Sequence, residues 1–391
     1  MTKNKFQKIE ELLSRGVENI YPSREALEAV LKSGKKLKVY CGVDPTGKLH
    51  LGHGAILGKL RQFQDLGHEV IVLIGDFTAT IGDPTGKSIT RKMLTRKQVL
   101  AYAKDYKKQI RKILDFNKSN VRFLHNEKWT NKLKPIDMLA IASKFTVARL
   151  LERDMFQKRI KEGRDIHVHE FLYPIFQAYD AVTMDIDIQI GGNDQTFNML
   201  VGRTLIKKIK NKETSVLTIK LLTDPTGKKM GKTEGNVVDL NESPKEMYGK
   251  IMNWPDGLIN LGFEICTRVP RDEFKKITNP RAAKAKLAKT IVSQYHGEKA
   301  AQSAEQEFNR IFKEKKLPTE IAKIKIKEPE INILDLLVKT KLASSKSEAR
   351  RLVEQNAVKI NNKIENNWKS IIITKPGLVI QAGRRHFIKL G

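Results

Sequence analysis

No stretch of the 391-residue sequence approaches the roughly 18 consecutive apolar residues that a bilayer-crossing helix needs. Its opening, Met1-Thr2-Lys3-Asn4-Lys5, lacks the apolar core of a secretory signal, so a soluble cytoplasmic protein with no membrane partner is expected. Cysteine is scarce: Cys41 and Cys266 are too few for a disulfide framework or a four-thiolate zinc site. Acidic side chains are outnumbered, 44 against 73 lysines and arginines, and the formal charge of +29 makes a polyanion, nucleic acid first, the partner to consider. A solvated lysine-rich surface without a partner accounts for the same count. The 40% of hydrophobic residues excludes disorder throughout and suffices for cores in two or three domains.

The charge is uneven. Residues 271–330 carry a net +6 and 331–391 a net +8, which is about twice the density of the first 270 positions with their +15. Along the chain, the apolar run Leu37 to Val43, a helix-like stretch Gly52 to Leu66 and the run Val70 to Ile74 read as a βαβ unit. Such units imply a parallel sheet with ligands beyond the carboxyl ends of its strands, so the loops after Val43 and Ile74 are candidate site loops. Residues 94–205 read mostly as helix, with a further strand from Asp185 to Ile190 leading into Gly191-Gly192. Pro244 to Phe312 is again helical, and Lys315 to Glu330 reads as a charged, proline-containing linker before a small module.

The word Asp-Pro-Thr-Gly-Lys occurs three times, at 44–48, 83–87 and 224–228, with unequal separations that exclude a solenoid. Each copy alone is an ordinary turn. Together they describe loops converging on a polyanion, each offering backbone amides and a lysine. Gly82 to Ser88 is not a phosphate-binding P-loop, because Ile81 stands where that motif needs its first glycine. His50-Leu51-Gly52-His53 places two imidazoles on one face at a helix N-terminus, where a phosphate gaining charge is stabilised. A metal pair is the rival reading, but no third ligand lies nearby. The histidine that a zinc-protease motif requires after His169-Glu170 is replaced by Tyr173, which leaves His167 and His169 as loop residues. Lys229-Met230-Gly231-Lys232-Thr233 is a glycine-containing basic loop able to clamp phosphates.

The histidine and lysine segments resemble the HIGH and KMSKS signatures of class I aminoacyl-tRNA synthetases, with leucine second in the first and glycine and threonine replacing serines in the second. Tyr40 to Thr46, Ile81 to Pro84, Glu170 to Asp180 and Gln189 to Gln195 are similar to bacterial tyrosyl-tRNA synthetases, and so are Asn279-Pro280-Arg281 and Tyr295-His296-Gly297. Leu342 to Arg351, Val358 to Asn361 and Gly383-Arg384-Arg385 resemble an S-four-type RNA-binding domain. The implied fold is α/β. It comprises a Rossmann-type parallel-sheet catalytic domain with a helical insertion (1–223), then the signature loop and an α-helical anticodon-side domain (224–314). A linker (315–330) and a small α+β S-four-type domain (331–391) complete it.

That resemblance implies tyrosine activation by ATP, with magnesium accompanying the nucleotide and no permanently bound cofactor or metal site, then transfer to tRNA(Tyr) by a homodimer that makes contact around Lys134 to Leu151. It implies that His50, His53 and Thr46 contact the triphosphate, while Lys87, Lys229, Lys232 and Thr233 stabilise departing pyrophosphate. Tyr40 and Asp180 would meet the substrate phenol, and Asp83, Tyr173 and Gln177 its ammonium, with Gln195 near the aminoacyl group and the adenylate ribose. Cys41, Gly42, Asp44, Gly52, Gly192, Asp194 and Met230 would surround ATP or the adenylate. Lys346, Arg350, Arg351, Arg384 and Arg385 would hold tRNA.

There are departures from the family pattern. The loop from Thr46 to His50 is one residue short, which shifts a phosphate contact toward Lys48, and Asn193, Thr196 and Phe197 stand where Ser, Trp and Gly are usual. A tryptophanyl-tRNA synthetase would share both signatures but lack the RNA module and the Tyr40/Asp180 pair. A non-catalytic RNA-binding scaffold would not need His50, His53, Lys229 and Lys232.

Overall fold

The computed structural model describes residues 3–85, 93–223, 237–314, 317–318, 321–383 and 386–391, which form two compact units, Met1–Glu305 and Gln306–Gly391. The first is built on six strands: β1 (Val17–Tyr21), β2 (Lys38–Val43), β3 (Glu69–Ile74), β4 (Val121–His125), β5 (Ile188–Gly192) and β6 (Ser215–Ile219), in the order β1-β6-β5-β2-β3-β4. All neighbours are parallel except β1, which runs antiparallel to β6. Every residue of β5 and β6 is buried, as is usual for central strands covered on both faces. From β2 the chain builds outward through β3 to β4, then returns to the other side of β2 for β5 and β6. That reversal opens a crevice at the carboxyl ends of β2 and β5.

The predicted βαβ unit is present, its helix running Leu51–Asp65 and its second strand starting at Glu69. His50 caps this helix, and Gly67 leaves it at φ 90°, a left-handed conformation open to glycine. Within this first unit three expectations needed correction. The strand expected from Asp185 begins at Ile188. Asp185 instead ends the helix Val168–Met184 in the left-handed region, its carboxylate collecting Lys38, Lys210 and Lys212. Strand β4 lies inside the stretch read as mostly helical, because a five-residue edge strand holding Arg122 and His125 has no clean apolar run. His169 lies in the first turn of the Val168–Met184 helix rather than in a loop. Downstream, the helices Pro244–Met252 and Pro280–His296 begin at side-chain caps, Ser243 and Asn279.

In the second unit, β7 (Ala322–Ile324), β9 (Val358–Ile360), β10 (Lys363–Ile364), β12 (Val379–Ala382) and β13 (His386–Leu390) form a sheet of order β10-β9-β12-β13-β7, while β8 (Glu330–Asn332) pairs with β11 (Ile371–Ile373). The helices Ile333–Lys339 and Lys346–Glu354 pack Ile333, Leu336, Leu337, Ala349 and Val353 against Val358 and Ile380. The stretch expected to be a linker, 315–330, therefore contributes β7, which pairs parallel with β13. Its lysines disguise it, but backbone pairing does not depend on the side chains. Among the described residues no helix is long and apolar enough to cross a membrane.

Candidate active site

A cavity of about 830 Å³ opens at the carboxyl ends of the central strands. It is lined by Tyr40, Gly42, Asp44, Thr46, His50, Gly52, His53, Asp83, Tyr173, Gln177, Asp180, Gly192, Asp194 and Gln195, so fourteen of the expected site residues converge from segments as far apart as β2 and the turn after β5. Cys41 does not line it. Side chains alternate across a strand, and between Tyr40 and Gly42 the Cys41 thiol turns into the core, where burial pushes its pKa up to about 12. Lys87, Lys229, Met230, Lys232, Thr233, Arg384 and Arg385 lie outside the described residues.

At the deep end, Asp180 is 2% exposed and accepts from Trp129 Nε1 at 2.7 Å and Asn126 Nδ2 at 3.0 Å. Burial pushes its pKa up to about 7; the two donors resist this, and the carboxylates of Asp44 and Asp76 add to it. Tyr40 donates its hydroxyl to Gln189 Oε1 at 3.2 Å. Burial, reinforced by the charge of Asp180, keeps the phenol protonated well beyond its ordinary range. Asp44 is held by Thr78 Oγ1 at 2.8 Å and Tyr173 Oη at 2.9 Å. A Cβ on Gly75 would lie 2.0 Å from Asp44 Oδ1 and 2.4 Å from Thr78 Oγ1, so the turn after β3 requires glycine. Asp83 accepts from Thr85 N and Oγ1 through one oxygen and from Gln195 Nε2 at 2.7 Å through the other.

At the mouth, the His50 and His53 rings lie 4.0 Å apart at the N-terminus of a fifteen-residue helix. Gly52 N donates to His50 Nδ1 and His50 N to His53 Nδ1, both at 3.2 Å. A nitrogen that accepts cannot carry the hydrogen. Each neutral imidazole therefore bears it on Nε2, as a donor suited to phosphate oxygens, and the positive end of the helix adds to that preference. Val238 O and Leu240 N bond to Leu51 N and Leu49 O, and Lys48 Nζ lies 3.8 Å from Asp239. The segment that follows the lysine-rich signature is thus stitched to the histidine turn. Lys48, the alternative phosphate contact, has a carboxylate neighbour.

Sequence reasoning missed Asn126, Trp129, Thr78, Gln189 and Arg153. Two of them carried a signal, Trp129 as one of three tryptophans in the chain and Gln189 as the first residue of the Gln189 to Gln195 resemblance. The departures at 193–197 have structural partners: Asn193 Oδ1 accepts from Asn19 on β1 and Thr218 on β6, Thr196 donates to Asn193 O, and Phe197 lies under Arg153. In the second unit Lys346 pairs with Asp335 at 2.6 Å, while Arg350 bonds Glu354 at 2.8 Å and covers Trp368 at 4.5 Å. Arg351 is exposed. Exposed pairs of this kind contribute little and exchange readily for phosphate.

Comparison with known proteins fits this geometry. The family model for class I tRNA synthetases (W and Y) matches residues 32–313, and that for the tyrosine–tRNA ligase SYY-like C-terminal domain matches 312–387. The chain is 45% identical to the tyrosine–tRNA ligase of Carboxydothermus hydrogenoformans, over 97% of each chain. The chain belongs to the tyrosine–tRNA ligase family. Another relative, the tyrosine–tRNA ligase of Thermotoga maritima, is 43% identical over 97% of this chain and 96% of its own. A C-terminally truncated mitochondrial tyrosyl-tRNA synthetase from Coccidioides posadasii superposes with a TM-score of 0.64 at 25% identity, over 76% of this chain and 91% of that one. The Archaeoglobus fulgidus enzyme, solved with L-tyrosine, shares the fold at a TM-score of 0.60 and 20% identity, over 77% of this chain and 99% of its own.

Proposed function

We propose that this tyrosine–tRNA ligase family member activates L-tyrosine with ATP and transfers the tyrosyl group to the 3′-terminal adenosine of tRNA(Tyr). The observation that carries the reading is the buried Tyr40–Asp180 end of a cavity whose mouth presents two imidazole donors on a helix N-terminus. A carboxylate oxygen of tyrosine attacks the α-phosphorus of ATP, the bond to pyrophosphate breaks, and tyrosyl-adenylate stays bound. A ribose hydroxyl of tRNA then attacks the acyl carbon and AMP leaves. Neither step needs a covalent enzyme intermediate, so the residues act by orientation and charge.

In this reading Tyr40 and Asp180 bracket the substrate phenol, and phenylalanine would leave both unpaired. Asp83, Tyr173 and Gln177 take the ammonium. His50 and His53 donate through Nε2 to the triphosphate as charge builds on it, beside Thr46, and Gly42, Gly52, Gly192 and Asp194 make room for the nucleotide. Lys87, Lys229, Lys232 and Thr233 meet pyrophosphate as it leaves. Magnesium enters as the ATP complex. Lys346, Arg350 and Arg351 grip tRNA. The exposed Ile136, Leu139 and Val147, each about two-thirds accessible, supply an apolar face for a homodimer, which sedimentation would detect.

Pyrophosphate exchange measured with each of the twenty amino acids tests the reading. Exchange with tyrosine alone is expected; exchange with tryptophan, or with none, overturns it.

A further inference from the structure

Arg153 is 5% exposed and precedes the helix Asp154–Lys161. Its guanidinium lies over two rings, Phe156 at 5.5 Å and Phe197 at 5.1 Å, and Nη2 donates to Thr85 Oγ1 at 2.7 Å. Nη1 has no partner among the described residues. Burial lowers the guanidinium pKa, and the neighbouring Asp83, Tyr173 and Glu170 counter that effect, so the cation is kept beside the cavity by its surroundings rather than by water. Nothing in the tyrosine-activating role itself accounts for a buried arginine here.

We propose that Arg153 is the positioning residue that aims Asp83 at the substrate ammonium, an inference that rests on the ammonium-binding reading of Asp83. Arginine only donates, so the Thr85 hydroxyl accepts from Arg153 and directs its own hydrogen to Asp83 Oδ1, at 2.6 Å. Thr85 N adds a second donor to that oxygen at 2.9 Å, and Arg153 Nη2 stands 3.9 Å from it. With Oδ1 committed, Oδ2 is the oxygen that meets Gln195 Nε2 at 2.7 Å on the cavity wall. Two effects of the cation oppose each other. Its field weakens the pull of Asp83 on an ammonium, while its hydrogen bond fixes the carboxylate's orientation. At 3.9 Å the guanidinium is beyond direct bonding to Asp83, whereas the Thr85 relay is direct, so orientation wins. Phe197 belongs to the same device. The ring that departs from the family pattern at this position forms one of the two covers over Arg153.

The test compares Arg153→Met, which keeps an unbranched apolar stem between the rings, with Arg153→Lys and Asp83→Asn in the full-length chain. Tyrosine affinity of Arg153→Met should weaken about 10- to 100-fold, as expected for a lost hydrogen bond that orders a charged group. The rate of activation at saturating tyrosine should change far less. Inhibition by 3-(4-hydroxyphenyl)propionate, which has no ammonium, should be the same in wild type and variant, and the lysine variant should recover part of the affinity. The double variant Arg153→Met/Asp83→Asn should bind tyrosine no more weakly than Asp83→Asn alone. Tighter or unchanged tyrosine binding in Arg153→Met, with Asp83→Asn impaired, overturns the proposal. So does an equal loss for the analogue, which marks a packing role. If Asp83→Asn itself binds tyrosine normally, the ammonium reading of Asp83 is the part that fails.

Discussion

Replacing Trp129 by Phe removes one donor from a carboxylate whose ionisation already lies near neutrality. Trp129 Nε1 stands 2.7 Å from Asp180 Oδ1, and Asn126 supplies the other donor at 3.0 Å. A hydrogen bond to a charged group contributes about 1.5–3 kcal/mol, and one pKa unit corresponds to about 1.4 kcal/mol, so losing it should raise the Asp180 pKa by about one to two units. From a starting value of about 7 this takes the carboxyl to about 8–9. The sign follows from the acid being ionised above its pKa. Tyrosine kcat/KM should rise with pH through neutrality in the wild type and rise later in Trp129→Phe. At pH 7 the ionised fraction falls from about one half to between about one tenth and one hundredth, a loss of about 5- to 50-fold in kcat/KM for tyrosine. The assay is tyrosine-dependent pyrophosphate exchange at subsaturating tyrosine across the neutral range, with ATP saturating. Superimposed pH profiles for wild type and variant, in a protein with an unchanged melting temperature, would refute the argument that Asp180 must be ionised to receive the phenol.

Tyr40→Phe should lower discrimination against phenylalanine by about 10- to 100-fold, read as the ratio of kcat/KM for the two amino acids. Lys232→Ala should slow pre-steady-state adenylate formation while leaving tyrosine affinity near wild type; equal losses of both point to misfolding. Gly75→Ala places a methyl group against Asp44 and Thr78 and should reduce both activation rate and melting temperature, by calorimetry on the same preparation. Removing 315–391, a cut that takes β7 along with the sheet it belongs to, should spare pyrophosphate exchange and reduce tRNA charging by orders of magnitude at moderate salt. Unimpaired charging would refute the RNA-binding role of that unit.

The central βαβ unit was legible because strands covered on both faces need a nearly continuous apolar run, and after Lys38 and Glu69 at their starts β2 and β3 supply one. Strands β1 and β4 escaped notice because each is an edge of the sheet: Glu18, Asn19 and Arg122 break the apolar run, and pairing holds the strand together instead. The cavity wall was readable where a motif is contiguous, as in His50 to His53 or Gly191 to Gln195. Asn126 and Trp129 reach Asp180, and Gln189 reaches Tyr40, from 51 to 149 positions away, a relation that no local spacing encodes. Cys41 is adjacent to Tyr40 in sequence but takes the opposite side of the strand and is not among the residues that line the cavity.

The antiparallel pairing of β1 with β6 bears on how the chain is made. Val17–Tyr21 meets Ser215–Ile219, so on a ribosome adding about 5–20 residues per second the first strand waits on the order of 10–40 s for its partner. Through that interval its backbone groups are available to any other extended segment. Glu18 and Asn19, both exposed in the finished sheet, put a charge and a polar amide on the waiting strand and make it a poor template for association. The residues that hid β1 from a reading of apolar pattern are thus the ones that guard it during synthesis. A substitution such as Glu18→Val would strengthen the strand's propensity at the expense of the nascent chain's solubility.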